Sequence, residues 1–389
     1  FFEMMGNFSF GDYFKAEVIP WAWEFVTTDL GFDPACLSVT IFAGDEQLPP
    51  DNEAFEIWNK KVGVPTERII KMPKSDNFWG PPGPTGPCGP CSEIYYDRGA
   101  KYGCNEDSTK CGIGKCECDR YLEFWNLVFM EFFKDEQGNF KPLAAKNIDT
   151  GLGLDRVALI SQEKQNTFET DLLFPILQAV SKLCGVRYEG KLPSLADKKA
   201  DNKDVYLKII TDHARCITFL IADGIRMSNI GRGYVLRFIT RRAARFGRLL
   251  GLKEPFLYKL VPAVASVYGG HYTELAQNEE LIKEVIKEEE ERFARTIEKG
   301  SNILDELIAG SDKELEGKTV FNLYSTYGFP VELTREIAKE HGKAIDIAGF
   351  EKAKQEHGEV SSVNKFNVNI VSDDYLVELG RKGGTNFIG

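Results

Sequence analysis

Residues 147–156 read NIDTGLGLDR, and the rest of the chain is organised around this stretch. Asn147, Ile148 and Asp149 read as the end of a strand. Leu152, Val157, Leu159 and Ile160 then follow at helical spacing. Gly151 and Gly153 carry no side chain, so a ligand can approach the backbone closely there. Asp149 stands where it can hold a cation, and Arg156 stands one helical turn further on, where it can hold an anion. An ammonium and a phosphate bound together suit an amino acid and ATP. A bland strand, turn and helix with a surface acid and a surface arginine matches the same letters.

Working back from this stretch, residues 121–133 (YLEFWNLVFMEFF) are apolar almost throughout and predict a buried central strand. Asn126 and Glu131 inside it need partners, either neighbours in the core or a ligand, because a buried amide or carboxylate without one is costly. Residues 80–92 (GPPGPTGPCGPCS) are so rich in Pro and Gly that they predict a rigid loop over a cavity rather than a helix or central strand. Further strands are expected at residues 1–10, 36–43 and 68–72, and helices at 13–30, kinked or split at Pro20, and at 52–62. After Arg156 the pattern is helical, including a long segment at 279–308 with one apolar side. The expected fold class is α+β. Residues 1–162 form a mixed domain with a Cys-rich insertion at 102–118. Residues 163–362 form an all-helical domain, and residues 363–389 begin a further β domain.

At 389 residues, with 43% hydrophobic content, the chain is long enough for two or three cores. It has no apolar run of about 18 residues, so no membrane span is expected. A cytoplasmic location is expected. The chain starts at Phe1 inside a structural element, which suggests that a piece upstream is missing. A net charge of −11 argues against indiscriminate nucleic-acid binding but leaves room for a local basic surface.

Two clusters carry chemistry. Cys104, Cys111, Cys116 and Cys118 lie in a short polar loop that cannot fold on its own. Four thiolates there fit a structural, tetrahedral Zn2+, the alternative being free surface thiols. Arg232, Arg237, Arg241, Arg242, Arg245 and Arg248 follow one another with no acid between them. They suit a nucleic-acid backbone, unless the Glu-rich segment 279–308 pairs with them. The four His lie far apart in sequence, so a nucleophilic triad is poorly supported.

Six long stretches carry a resemblance. They are FFEMMGNFSFGDYFK (1–15), DNFWGPPGPTGPCGPCSEIYYD (76–97), YLEFWNLVFMEF (121–132), NIDTGLGLDR (147–156), LIADGIRMSNIGRGYVLRFITRRAARFG (220–247) and LYSTYGFPVELT (323–334). Over nearly its whole length the chain resembles the bacterial-type alanyl-tRNA synthetases, a family of class II aminoacyl-tRNA synthetases. The resemblance implies a class II antiparallel sheet with flanking helices, followed by a helical tRNA-recognition domain. It implies ATP with Mg2+ as cosubstrate, L-alanine as substrate, and the acceptor stem of tRNA(Ala) as partner. Phe2 would stack on adenine, and Arg156 would hold the ATP phosphates. Trp79, Asn126, Val128, Asp149 and Gly151 would form the alanine pocket, with Asp149 on the ammonium. Asn229 and Ser325 would face a wobble pair, with Arg232, Arg237, Arg241 and Arg245 on the backbone.

Three departures follow from the same comparison. Motif 1 and the motif 2 Arg are missing, so activity is expected to need the N-terminal part, supplied upstream or as a separate synthetase fragment. Ser325 replaces the usual Asp, and Asp155 the commoner Glu. The family's editing domain is also absent. The competing readings are an alanine–tRNA ligase fragment, a non-catalytic RNA-binding derivative, and a ligase that loads a carrier other than tRNA.

Overall fold

A computed structural model describes residues 1–365, apart from 82, 105–110, 191–202 and 312. The expected β domain at 363–389 thus lies almost wholly outside the described residues. The chain divides into two compact units, residues 1–179 with 189–198, and residues 180–188 with 199–389.

The first unit is built on one sheet. Its strands are β1 (Met4–Met5), β2 (Phe8–Phe10), β3 (Leu37–Phe42), β4 (Ile69–Met72), β5 (Phe78–Trp79), β6 (Gly86–Asp97), β7 (Tyr121–Lys134) and β8 (Phe140–Gly153). The order is β1-β8-β7-β6-β3-β4, with β2 beside β8 and β5 beside β6. Every pairing is antiparallel except β3 with β4, which is parallel.

Period-two alternation splits each strand between two faces. Leu37, Val39, Ile41, Ile94, Trp125, Leu127, Phe129, Ile148 and Leu152 face a core with Val18, Ile19 and Ala22 of the helix Lys15–Glu24 and with Trp58. Thr40, Cys91, Glu93, Asn126, Val128, Asp149 and Gly151 alternate with them and belong to the other face. Pro20 does not split its helix, which is followed by a π turn at Phe25–Asp29.

Two expectations need correction. The Pro/Gly-rich segment 80–92 is not a loop throughout, because Gly86–Ser92 opens the central strand β6. The ladder to β7 is interrupted between Cys88 and Cys91, and Pro90 lies inside that bulge, where no regular donor is required. Gly89 is required there, since a Cβ would overlap the Phe129 carbonyl. The second correction concerns Leu152. It belongs to β8, which continues to Gly153, and the helix begins only at Leu154. Pairing of Leu152 with Met5 and Trp125 carries the strand past the glycines.

The second unit is helical. Its main helices are Lys203–Ala222, Gly231–Leu249, Val261–Tyr268, Glu279–Gly310, Gly317–Tyr327, Val331–Glu340 and Ile347–Lys365. A two-stranded parallel pair, Glu314–Leu315 with Ala344–Ile345, is the only sheet among its described residues. Phe293, Ile297, Leu304 and Ile308 line one side of the long helix at helical spacing and pack on Leu323, Phe329 and Leu333.

Candidate active site

Four strands bring one row of side chains together. Asn126 on β7 is the register partner of Glu93 on β6 and of Gly151 on β8, and Val128 is the partner of Cys91 and Asp149. Thr40 on β3 completes the row through its hydroxyl, which donates to Glu93 Oε2 at 3.3 Å. Antiparallel register is what turns four distant sequence segments into one surface.

The row is rich in acceptors and poor in cations. Glu93 is only 6% exposed. Burial, then the charges of Glu123 and Asp76, push its carboxyl up to about 7. Burial alone raises Asp149 above its ordinary value. Asn126 Nδ2 lies 3.4 Å from Glu93 Oε1, while Asn126 Oδ1 is buried with no protein partner. Arrangements of this kind favour a bound cation with N–H donors.

Arg156 stands in the first turn of the helix Leu154–Ser161. Its Nη1 donates to the Glu123 carbonyl at 2.7 Å and to Glu123 Oε2 at 2.9 Å, and about half of its side chain stays open to solvent. Phe2 and Trp79 are exposed, Trp79 on β5 next to Gly89. Met4 Sδ would lie 2.9 Å from a Cβ at Gly151, so the glycine leaves room for the thioether. Glu131 is not part of the row. It meets the buried Lys15 at 2.7 Å and the half-exposed Lys146 at 3.0 Å, partners within the fold.

Cys104, Cys111, Cys116 and Cys118 converge, with all four sulfurs within 4.8 Å of one another. Cys111 and Cys118 are 3.6 Å apart and Cys116 and Cys118 3.4 Å. Backbone hydrogen bonding at Cys118 draws the Cys116 thiol down to about 6. The loop shares a cavity of about 400 Å3 with Met72, Asp76, Tyr95 and Tyr121, which sets it beside the row. Cys88 and Cys91 are buried on β6, and burial raises both thiols.

In the second unit, four arginines of the helix Gly231–Leu249 meet carboxylates of neighbouring helices. Arg241 Nε donates to Glu289 Oε1 at 2.8 Å, and Arg237 pairs with the same carboxylate at 3.3 Å. Arg242 forks onto Glu336 at 2.8 and 2.6 Å, and Arg245 reaches Glu340 at 2.7 Å. Arg241 is 6% exposed, whereas Val235 on the same helix is 51% exposed. Asn229, Arg232 and Ser325 are exposed, and Asn229 Oδ1 accepts from Arg237.

The family model of class II tRNA synthetases, described as tRNA synthetases class II (A), matches residues 1–387. The chain belongs to this family. Curated relatives named alanine–tRNA ligase are 51% identical in Thermoanaerobacter sp. (strain X514) over 362 residues and 47% identical in Thermotoga maritima over 390 residues. A third, from Alkaliphilus oremlandii, is 50% identical over 359 residues. These matches cover 90%, 100% and 90% of this chain and 38%, 43% and 38% of the relatives. The chain therefore spans about two fifths of the length of the curated relatives it matches. Its α+β fold with a mostly antiparallel sheet agrees with class II membership. Among the described residues, no helix is long and apolar enough to cross a membrane.

Reading the sequence missed Glu93, Thr40, Asn77 and Glu123. The available signal was a lone acid inside an otherwise buried strand, Cys-Ser-Glu-Ile-Tyr (91–95).

Proposed function

We propose that this chain carries the adenylating centre and a tRNA-binding region of an alanine–tRNA ligase. The observation that carries the reading is the row of acceptors on β6–β8 with no basic partner, bounded by Trp79 and Arg156. Such a surface suits a small zwitterion whose ammonium enters first. Asp149 pairs with the ammonium, and Asn126 Oδ1 accepts from it. Val128 and Gly151 line the place of its methyl group. This geometry rejects larger side chains by size and discriminates weakly against glycine and serine.

Phe2 stacks on the adenine of ATP, and Arg156, held in place by Glu123, meets the phosphates. Glu123 would offer a carboxylate oxygen to the magnesium bound with ATP, which would neutralise phosphate charge. An alanine carboxylate oxygen attacks the α-phosphate in line, pyrophosphate leaves, and the alanyl group then passes to the 3′ end of tRNA. Held geometry and fixed charge are the main contributions the protein makes to such a step. In the helical unit, Asn229, Arg232 and Ser325 form the contact to the acceptor stem. Arg237 and Arg245 stand at its rim, and Arg241 supports it from inside.

The four thiols fit a structural Zn2+. A tetrahedral site with Zn–S near 2.3 Å separates its sulfurs by about 3.8 Å. The separations of 3.4 and 3.6 Å lie close to that value. A ligase serving translation works in the cytoplasm.

The test is alanine-dependent ATP–pyrophosphate exchange. It is run on this chain and on the chain extended at its N-terminus with the matching segment of the Thermotoga maritima relative. Exchange with alanine, and not with leucine, is expected in at least the extended form. No exchange in either form, with tRNA binding retained, supports the RNA-binding reading instead.

A further inference from the structure

Glu93 belongs to the row of acceptors but is given no contact of its own in the reading above, and its surroundings are specific. It is buried, and among the described residues no lysine or arginine pairs with it. Every group that reaches its oxygens is a neutral donor. Tyr95 OH donates to Oε2 at 2.9 Å, Thr40 Oγ1 donates to the same oxygen at 3.3 Å, and Asn126 Nδ2 lies 3.4 Å from Oε1. Thr40 is itself held, since Asn77 Nδ2 donates to its hydroxyl at 2.7 Å and to the Cys91 carbonyl at 2.8 Å. Asn77 is fully buried, so this support is rigid.

An ionised carboxylate can only accept hydrogen bonds. Asn126 must therefore turn its NH2 group to Glu93 and its carbonyl the other way. That carbonyl, Oδ1, is the buried atom with no protein partner. Glu93, with the Cys91 sulfur that the same amide also meets, thus decides which end of the Asn126 amide the ligand meets.

We propose that Glu93 is a positioning residue that holds the Asn126 amide with its oxygen facing the substrate ammonium, next to Asp149. The proposal rests on the alanine-site reading. Glu93 touches no substrate atom itself. Its action depends on its proton. A protonated Glu93 can donate to Asn126 Oδ1, and the amide then reverses and offers NH2 to an ammonium, which repels it. The groups facing Glu93 are Tyr95 and Cys91 on β6, Thr40 on β3, Asn126 and Glu123 on β7, and Asp76 with Asn77 on the short helix Lys74–Asn77. The two acids among them, with burial, set the carboxyl near 7, so alanine affinity falls as pH drops through that value.

The test compares wild type, Glu93→Gln and Glu93→Asp in the form that exchanges pyrophosphate, from about pH 6 to about pH 8.5. Glutamine offers both a donor and an acceptor and no longer dictates the amide. Glu93→Gln is expected to raise the alanine KM about tenfold, with kcat and the ATP KM within about twofold, and to flatten the pH dependence of the alanine KM. Glu93→Asp keeps an acceptor and is expected to restore the pH dependence and part of the affinity. An unchanged alanine KM and pH profile in Glu93→Gln overturns the proposal. So does an equal loss toward alanine and ATP together with a lowered melting temperature, which assigns Glu93 a structural role. Wild type without alanine-dependent exchange overturns the alanine-site reading itself, a result distinct from either.

Discussion

On the sheet, charge is left unbalanced; on the arginine helix, four of six arginines are met within the fold. Glu93 and Asp149 sit on β6 and β8 with no basic side chain beside them among the described residues, and burial raises both. Arg237, Arg241, Arg242 and Arg245 each meet a glutamate from a neighbouring helix. Both regions present runs or pairs of ionisable residues that invite a ligand reading. Only the first leaves its groups without counter-charge. Uncompensated charge in a buried setting is costly, so its presence points to a partner outside the chain. Compensated charge points inward, to packing and specificity of fold.

The largest expected effect is at the unbalanced end. Asp149→Ala should lower alanine-dependent exchange by about 100-fold or more, since it removes the counter-charge to the ammonium. Retention of most of the exchange would break the comparison on the sheet side. On the balanced side, Arg241→Ala leaves Glu289, which is 2% exposed, with only the longer pairings to Arg237 and Arg292, and should cost about 1–3 kcal/mol. A urea titration of the helical unit's signal reads this directly. An unchanged midpoint would mean that the pair is dispensable and that Arg241 is free for another role.

Metal sharpens the contrast next, because the four half-buried thiols are proposed to take a cation. One Zn2+ per chain is expected by metal analysis. Cys116→Ser together with Cys118→Ser should release it and lower stability by about 1–3 kcal/mol.

Glu290 offers a finer comparison with Glu93. Burial pushes it up to about 7 from 4.5, although the backbone N–H groups of Phe256, Leu257 and Tyr258 donate to it. The folded chain holds this proton more tightly than the unfolded chain. Stability from this group is therefore full below about 4.5 and falls as pH rises towards 7. Glu290→Gln should flatten that slope in unfolding measured across the same window, while leaving alanine KM unchanged. The smallest effect expected is at the surface. Arg232→Ala should weaken tRNA binding only a few-fold and reduce its salt slope by about 1, whereas a buried arginine contributes no such term.

Much of the fold was legible because strong local patterns coincide with buried elements. The apolar run of β7 and the 3.6-residue stripe of Glu279–Gly310 name their own elements. Gly86–Ser92 was not legible, because a bulge supplied by the partner strand removes the objection to Pro90. The arginine helix was half legible. Its charge is plain in the letters, but Glu289, Glu336 and Glu340, which neutralise it, lie 48 to 95 positions away. Motifs named Asp149, Arg156 and Asn126 without any coordinates.

By itself, then, the sequence determined the family, the strand-rich and helix-rich halves and the thiol cluster, since each rests on composition or on local order along the chain. Tertiary structure alone decided which charges are spent inside the fold and which are left for a ligand. That choice depends on register between strands and packing between helices, which bring together residues that the chain keeps far apart.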